Sequence, residues 1–406
     1  MQARRIWSLG VLITLLEGAL SVMAQMGMPL TQVEPQRDGQ HDWDTFFGTW
    51  KMHLKRRLRP LSGSNEWQEF ESHDTTRKIW DGRANLDELE ADGPSGHIEG
   101  LTVRLYNPRS HQWSIYWANA SAPTMDLPTI GAFRNGRGEF YDQEMFHERA
   151  IFVRYVWTDV SEKSGDFEQS FSADGGKTWE ANWVTTMERE TPSKANVAPN
   201  PDNHDGQHDF DFEFGPWKVH LKRLIHPMSK SKDWKEYDGT CTVSPVWNGR
   251  ANFAEFEAAN GSDRVEGLSL RLFDPHTHQW SIWWANAGDG TLDRIPVVGS
   301  FQEAIVERSR AVESAARRLK PPDPAGDYRR AEALRHPASG AQSTSYSEPE
   351  GGPGEFFGFQ QVDGRWVLVR FVFSGISANT MHGEQSYSLD GGKTWEPNWI
   401  EDLRRE

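Results

Sequence analysis

The string DGQHDWDTFFGTWKMHLKR beginning at Asp38 returns, lightly edited, as DGQHDFDFEFGPWKVHLKR beginning at Asp205. WDGRAN at Trp80 and IEGLTVRLYNPRSHQWSIYWANA from Ile98 recur at the same offset of 167, and SADGGKTWEANW from Ser172 recurs from Ser388 at an offset of 216. A chain that repeats itself over such a length folds as two like units, which 406 residues also suit. The copies span 38–190 and 205–406. The proline-bearing stretch 191–204 between them reads as a linker, so the two domains are expected to be separable. The change of offset requires an insertion in the second copy at about 303–351. Its Ala, Arg, Pro, Ser and Gly read as a mobile loop, with a functional lid as the other reading. Fourteen of the 19 tryptophans obey these offsets as seven pairs, so the indoles belong to the repeating fold unit.

Within each copy, LTVRLY, QWSIYWANA, IFVRYVW and FEQSFS are short, alternating and rich in β-branched or aromatic residues, with NP, DG and GG turns between them. The fold class is therefore all-β and antiparallel, closing into a barrel or a sandwich. SADGGKTW fits the Asp-box pattern of sialidases and related sugar-binding proteins. Two copies 216 residues apart do not fit the blades of a propeller. The motif also contains a complete hairpin: glycines for positive φ, and Asp174, Ser172 and Thr178 to bond turn backbone.

FFGTWKMHLK (46–55) and EFGPWKVHLK (213–222) open each copy with Gly-x-Trp. This looks like the first-strand signature of lipocalins and the wider calycin group, whose Trp plugs one barrel end beneath a basic residue of the last strand. The resemblance implies Trp50 with Arg189 and Trp217 with Arg404. Taken whole, each copy resembles an uncharacterised bacterial calycin-like family of unknown function, marked by HDFDF-type starts, a GRAN-like segment, QWSIYW and SxDGGxTWExNW. The implied architecture is two tandem antiparallel calycin/lipocalin-like β-barrels. The tandem arrangement and the insertion depart from the family's pattern.

Residues 1–24 place Arg4 and Arg5 before an apolar run and end in small residues at Val22-Met23-Ala24, as a signal peptide does. The expected location is periplasmic or secreted, with an uncleaved anchor as the alternative and no stable membrane span after cleavage. Cys241 is the only cysteine, so no internal disulfide forms. A net charge of −15 argues against nucleic acid as a partner.

Charged residues stand mid-strand among apolar ones in both copies: Arg104 and Arg271, Arg154 and Arg370, Glu168 and Glu384. They are solvated on an outer face, paired as structural ions, or turned into the lumen to meet a ligand. The third reading sets Arg104, Arg154, Glu168, Trp113 and Trp117 around a cavity in the first barrel, and Arg271, Arg370, Glu384, Trp280 and Trp284 in the second. The expected partner is a small organic ligand, anionic, aromatic or sugar-like, in an aromatic-lined cavity. An enzyme using lumenal Arg, Glu and Tyr groups, or a structural or partner-binding module, are the alternatives. His41, Asp42 and Asp44, with His208, Asp209 and Asp211, read as turn chemistry rather than a metal site. No cofactor motif and no catalytic signature stands in the sequence.

Overall fold

The computed structural model describes residues 37–190, 206–301 and 353–405. The segments read above as a signal peptide, a linker and an insertion lie outside the described residues. The first copy forms ten strands: β1 (Gly48–Arg57), β2 (Trp67–Ile79), β3 (Ala84–Gly93), β4 (Gly96–Asn107), β5 (Gln112–Asn119), β6 (Thr129–Arg134), β7 (Arg137–Phe146), β8 (Arg149–Thr158), β9 (Ser164–Ser172) and β10 (Glu180–Arg189). Each strand pairs antiparallel with the next, and β10 returns to β1 to close the barrel.

The second copy runs β11 (Gly215–Leu224), β12 (Trp234–Val246), β13 (Ala251–Asn260), β14 (Asp263–Asp274), β15 (Gln279–Asn286), β16 (Thr291–Leu292), β17 (Val297–Phe301), β18 (Gly354–Val362), β19 (Arg365–Ser374), β20 (Thr380–Ser388) and β21 (Glu396–Arg405). Its ring closes the same way, with the two-residue β16 as an appendage of β15. The all-β expectation of two tandem antiparallel barrels is what the chain forms.

Alternation sets which residues enter each lumen. On β1, Trp50, Met52 and Leu54 are buried while Lys51 and Lys55 face water. Arg189 lies 3.9 Å over the Trp50 ring and donates to the carbonyls of Phe47 and Thr45, so the aromatic plug forms as expected. In the second copy the covering residue is Arg405, 3.9 Å over Trp217, and not Arg404. Register decides this: Trp217 faces Arg405 across the sheet, whereas Arg404 faces Lys218 on the outer side. The offset of 216 carries Arg189 onto Arg405 in the same way.

The two barrels share a core. The outward faces of β3, β4 and β5 carry Leu86, Leu101, Val103, Leu105, Tyr116 and Ala118, which pack against Phe253, Leu268, Leu270 and Leu272 of the second barrel in one buried cluster. This explains why the apolar side of TVRL turns outward: it is an interface rather than a lumen lining. Arg83 donates to both oxygens of Glu266 at 2.7 Å, and Arg250 to both oxygens of Glu99 at 2.6 and 2.7 Å. Arg250 and Glu266 are the repeat equivalents of Arg83 and Glu99, so the contact is a reciprocal one of pseudo-two-fold kind. The GRAN segments thus join the barrels, which share one buried face.

Candidate functional site

Each lumen divides into two halves. The half opposite the Asp-box hairpins is solid. In the first barrel Trp43 touches Phe46, Trp113, Phe133, Phe140 and Trp157 with ring centroids 4.9 to 6.3 Å apart. Trp113 and Trp280 are 0% exposed, and their indole N–H groups donate to the carbonyls of Gly39 and Gly206 at 2.9 Å. Both are plug residues, away from any opening.

Arg104, 6% exposed, also lies in this floor. It donates to Asn85 and Asp87 at 2.9 Å each and sits 4.2 Å from the Trp43 ring. Burial, and then the neighbouring Asp87, pushes the Asp74 carboxyl well above its usual range. Arg271, 4% exposed, is held by Asn252 at 3.1 Å and by Glu213 at 2.6 and 3.2 Å. The pair is conserved in kind and not in origin: Asp87 comes from β3, while Glu213 precedes β11. Both guanidinia enter the lumen, but their counter-ions are internal.

Arg154 and Arg370 face outward, because their strand neighbours Val153 and Tyr155, and Val369 and Phe371, take the lumenal positions. Arg154 lies 4.7 Å from the Trp179 ring and 3.5 Å from Glu168, and Arg370 pairs with Glu355. Glu168 and Glu384 are outward too, accepting from Ser170 and Ser386. The expected ten-residue cavity set therefore does not converge. Two members, Trp117 and Trp284, stand in the other half of each lumen, where the structure keeps aromatic faces only partly buried.

There Trp117 meets Trp183 at 6.4 Å, and Trp284 meets Trp399 at 5.7 Å. The indoles lie across Gly100 and Gly267, where a Cβ would come within 1.8 and 1.9 Å of them, so glycine is required at both places. Beside each pair, a β-bulge brings an amide into contact with the preceding strand. Gln169 donates to Asn182 at 2.8 Å, and Asn398 to Gln385 at 2.9 Å.

The polar lining differs between the copies. In the first barrel Asp142 accepts from Thr129 at 2.7 Å, and burial, with the charge of Asp126 adding, pushes its pKa up to about 6. Burial also raises the Tyr155 phenol. In the second, burial pushes Asp293 up to about 7, with Asp289 adding. Burial likewise takes Glu401 up to about 7, against the hydrogen bond from Trp399. Tyr387 donates to Gln360 at 2.8 Å and is pushed up to about 12 by burial and then by Asp293. The repeat positions of Asp142 and Glu401 hold Gly358 and Thr185, so each lumen has its carboxyl on a different wall. The sequence reading overlooked these groups, although the mismatch between copies at these positions marks them.

The Asp-box hairpins stand at this end. Asp174 accepts from Ser172 at 2.8 Å, from the Lys177 and Thr178 amides at 3.0 Å, and from the Thr178 hydroxyl at 2.7 Å. Asp390 makes the same set, and the Thr394 amide bond, foremost among these, holds its pKa at about 2. The motif is a turn organiser with its carboxylate fully engaged. Leu61 bends over the first hairpin, its N–H bound to Glu180 at 2.6 Å, and Met228 does likewise on Glu396. A cleft of about 270 Å³ opens here among Leu61, Arg149, Phe171, Asp174 and Trp179.

His41 and His208 contact Asp44 and Asp211 at 3.0 and 2.8 Å. Among the described residues no group of three or more His, Cys, Asp or Glu is placed to hold a metal ion, and no helix is long and apolar enough to cross a membrane.

The BNR/Asp-box repeat model matches residues 386–397, the second hairpin. No curated protein matches the chain. Among solved structures, an S-type phycobiliprotein lyase from Guillardia theta is similar at 9% identity and a TM-score of 0.27, covering 41% of this chain and 100% of the lyase. A DUF3598-family protein of unknown function from Nostoc punctiforme covers 91% and 100% at 8% identity and a TM-score of 0.20. A Transferrin Binding Protein B mutant from Haemophilus parasuis covers 88% and 76% at 7% identity and a TM-score of 0.18. Likenesses of this size carry no argument about function.

Proposed function

We propose that the protein binds small organic molecules in the hairpin-end halves of its two barrels, against the Trp117–Trp183 and Trp284–Trp399 pairs. The observation that carries this reading is the retention, in both copies, of partly exposed indole pairs beside an amide pair, above a floor packed solid with rings. Aromatic walls with a few placed polar groups are the usual make-up of a small-ligand site. The lumenal guanidinia are engaged by internal carboxylates, so the reading favours an uncharged or donor-bearing ligand over an anionic one. Membership of a calycin-like family is supported by the Trp–Arg plug of each barrel. Export to the periplasm or beyond is part of the proposal, and rests on residues 1–24.

Quenching of tryptophan fluorescence by 4-nitrobenzyl alcohol, an uncharged aromatic probe, tests the reading. Saturable quenching that is lost on Trp117→Leu/Trp284→Leu supports it. Unsaturable quenching, equal in parent and variant, refutes it.

A further inference from the structure

We propose that the second barrel holds a primary ammonium group of its ligand at Glu401, against the indole wall of Trp284 and Trp399, in a subsite that the first barrel lacks. This deepens the binding function proposed above and rests on it. The observation is a paired exchange between the copies. Phe167 and Thr185 face each other across β9 and β10 in the first barrel, and Gly383 and Glu401 face each other at the same place across β20 and β21.

In the first barrel the Phe167 ring packs on Tyr155 and Trp157 at 5.4 and 4.6 Å, and Thr185 accepts the Trp183 indole N–H at 3.1 Å. In the second, the equivalent indole of Trp399 donates instead to Glu401 Oε2 at 2.9 Å, and no ring stands at Gly383. A Cβ there would come within 2.7 Å of Glu401 Oε1, so a side chain at this position would displace the carboxyl from where it stands. A ring and a hydroxyl have been exchanged for a carboxyl.

Among the described residues the Trp399 bond is the only hydrogen bond to this carboxyl. A carboxylate has about four acceptor positions, so it retains capacity for a further donor. The nearest lumenal cation, Arg271, is engaged by Glu213. Phe256, Trp284 and Trp399 meet at 5.4 to 6.0 Å and form a continuous aromatic wall beside it. A cation beside such faces is attracted by their quadrupoles, and a carboxylate supplies the charge-assisted hydrogen bond. Burial that pushes Glu401 up to about 7 marks an anion short of compensation, which a bound ammonium would supply.

Paired titrations with 4-nitrobenzylammonium and 4-nitrobenzyl alcohol at pH 7.5, read by tryptophan quenching, test the assignment. The parent is expected to bind the ammonium about tenfold more tightly than the alcohol. Glu401→Gln should erase that preference while keeping the alcohol affinity. Gly383→Phe/Glu401→Thr, which restores the first barrel's arrangement, should do the same, and Phe167→Gly/Thr185→Glu should create a second ammonium site. Alcohol binding without any ammonium preference, or a preference that survives Glu401→Gln, overturns the Glu401 subsite and leaves the binding function standing. Failure of both probes in the parent overturns both.

Discussion

Replacing Arg104 by methionine separates two accounts of that residue. Were Arg104 a ligand contact, the variant would fold normally and lose binding. The structure places it in an internal network instead: 2.9 Å to Asp87, 2.9 Å to Asn85 and 4.2 Å from the Trp43 ring, with both partners of the ion pair buried. Methionine keeps much of the volume but strands Asp87 beside Asp74. Removing one partner of a buried pair costs about 3–5 kcal/mol, or on the order of 10 °C in Tm for a domain of this size. Urea unfolding followed by near-ultraviolet dichroism at pH 7 reads the loss, and Arg104→Met/Asp87→Leu should recover most of it. A cost below about 1 kcal/mol, together with lost binding of 4-nitrobenzyl alcohol, would refute the structural assignment.

Glu401 rises from 4.5 to about 7 on folding, so its stabilising contribution is complete below pH 4.5 and is lost as pH rises through 7. Glu401→Gln should therefore be more stable than the parent by about 3 kcal/mol at pH 8 and nearly equal to it at pH 4, as denaturant melts at the two pH values would show. Asp174→Ala should abolish hydrogen-exchange protection of the Lys177 and Thr178 amides while leaving β1–β5 protected; unchanged protection would mean the carboxylate does not organise the turn. Residues 37–190 expressed alone should pair with themselves through β3–β5, since Arg83 and Glu99 sit on one face. Arg83→Glu should block the pairing in sedimentation velocity, and a monomeric parent fragment would contradict the shared-core description.

Strand alternation and the internal repeat were enough to read the barrels, because closure of a meander depends on local pattern and length. The direction in which each face turned was not legible. Leu101, Val103 and Leu105 look like a lumen lining until the second barrel is placed against them, and only then does the polar set Thr102 and Arg104 become the interior one. Arg154 misleads for the opposite reason: apolar residues flank it on both sides in FVRYVW, and the register with Tyr141 and Ser170 alone decides that it points out. The lumenal carboxyls Asp142 and Glu401 were hidden because neither belongs to the repeat: the equivalent positions hold Gly358 and Thr185. Trp117 and Trp284 were legible as an aromatic pair shared by the copies; their contact with Gly100 and Gly267 was not, because it depends on the packing of side chains across the lumen.

Native mass spectrometry of the full-length protein purified from its own host tests the binding function most directly. Added mass from one or two small organic molecules per chain is expected, displaced by 4-nitrobenzyl alcohol and absent from Trp117→Leu/Trp284→Leu. The bare chain mass, in a preparation that also gives no saturable quenching with either nitrobenzyl probe, would contradict it.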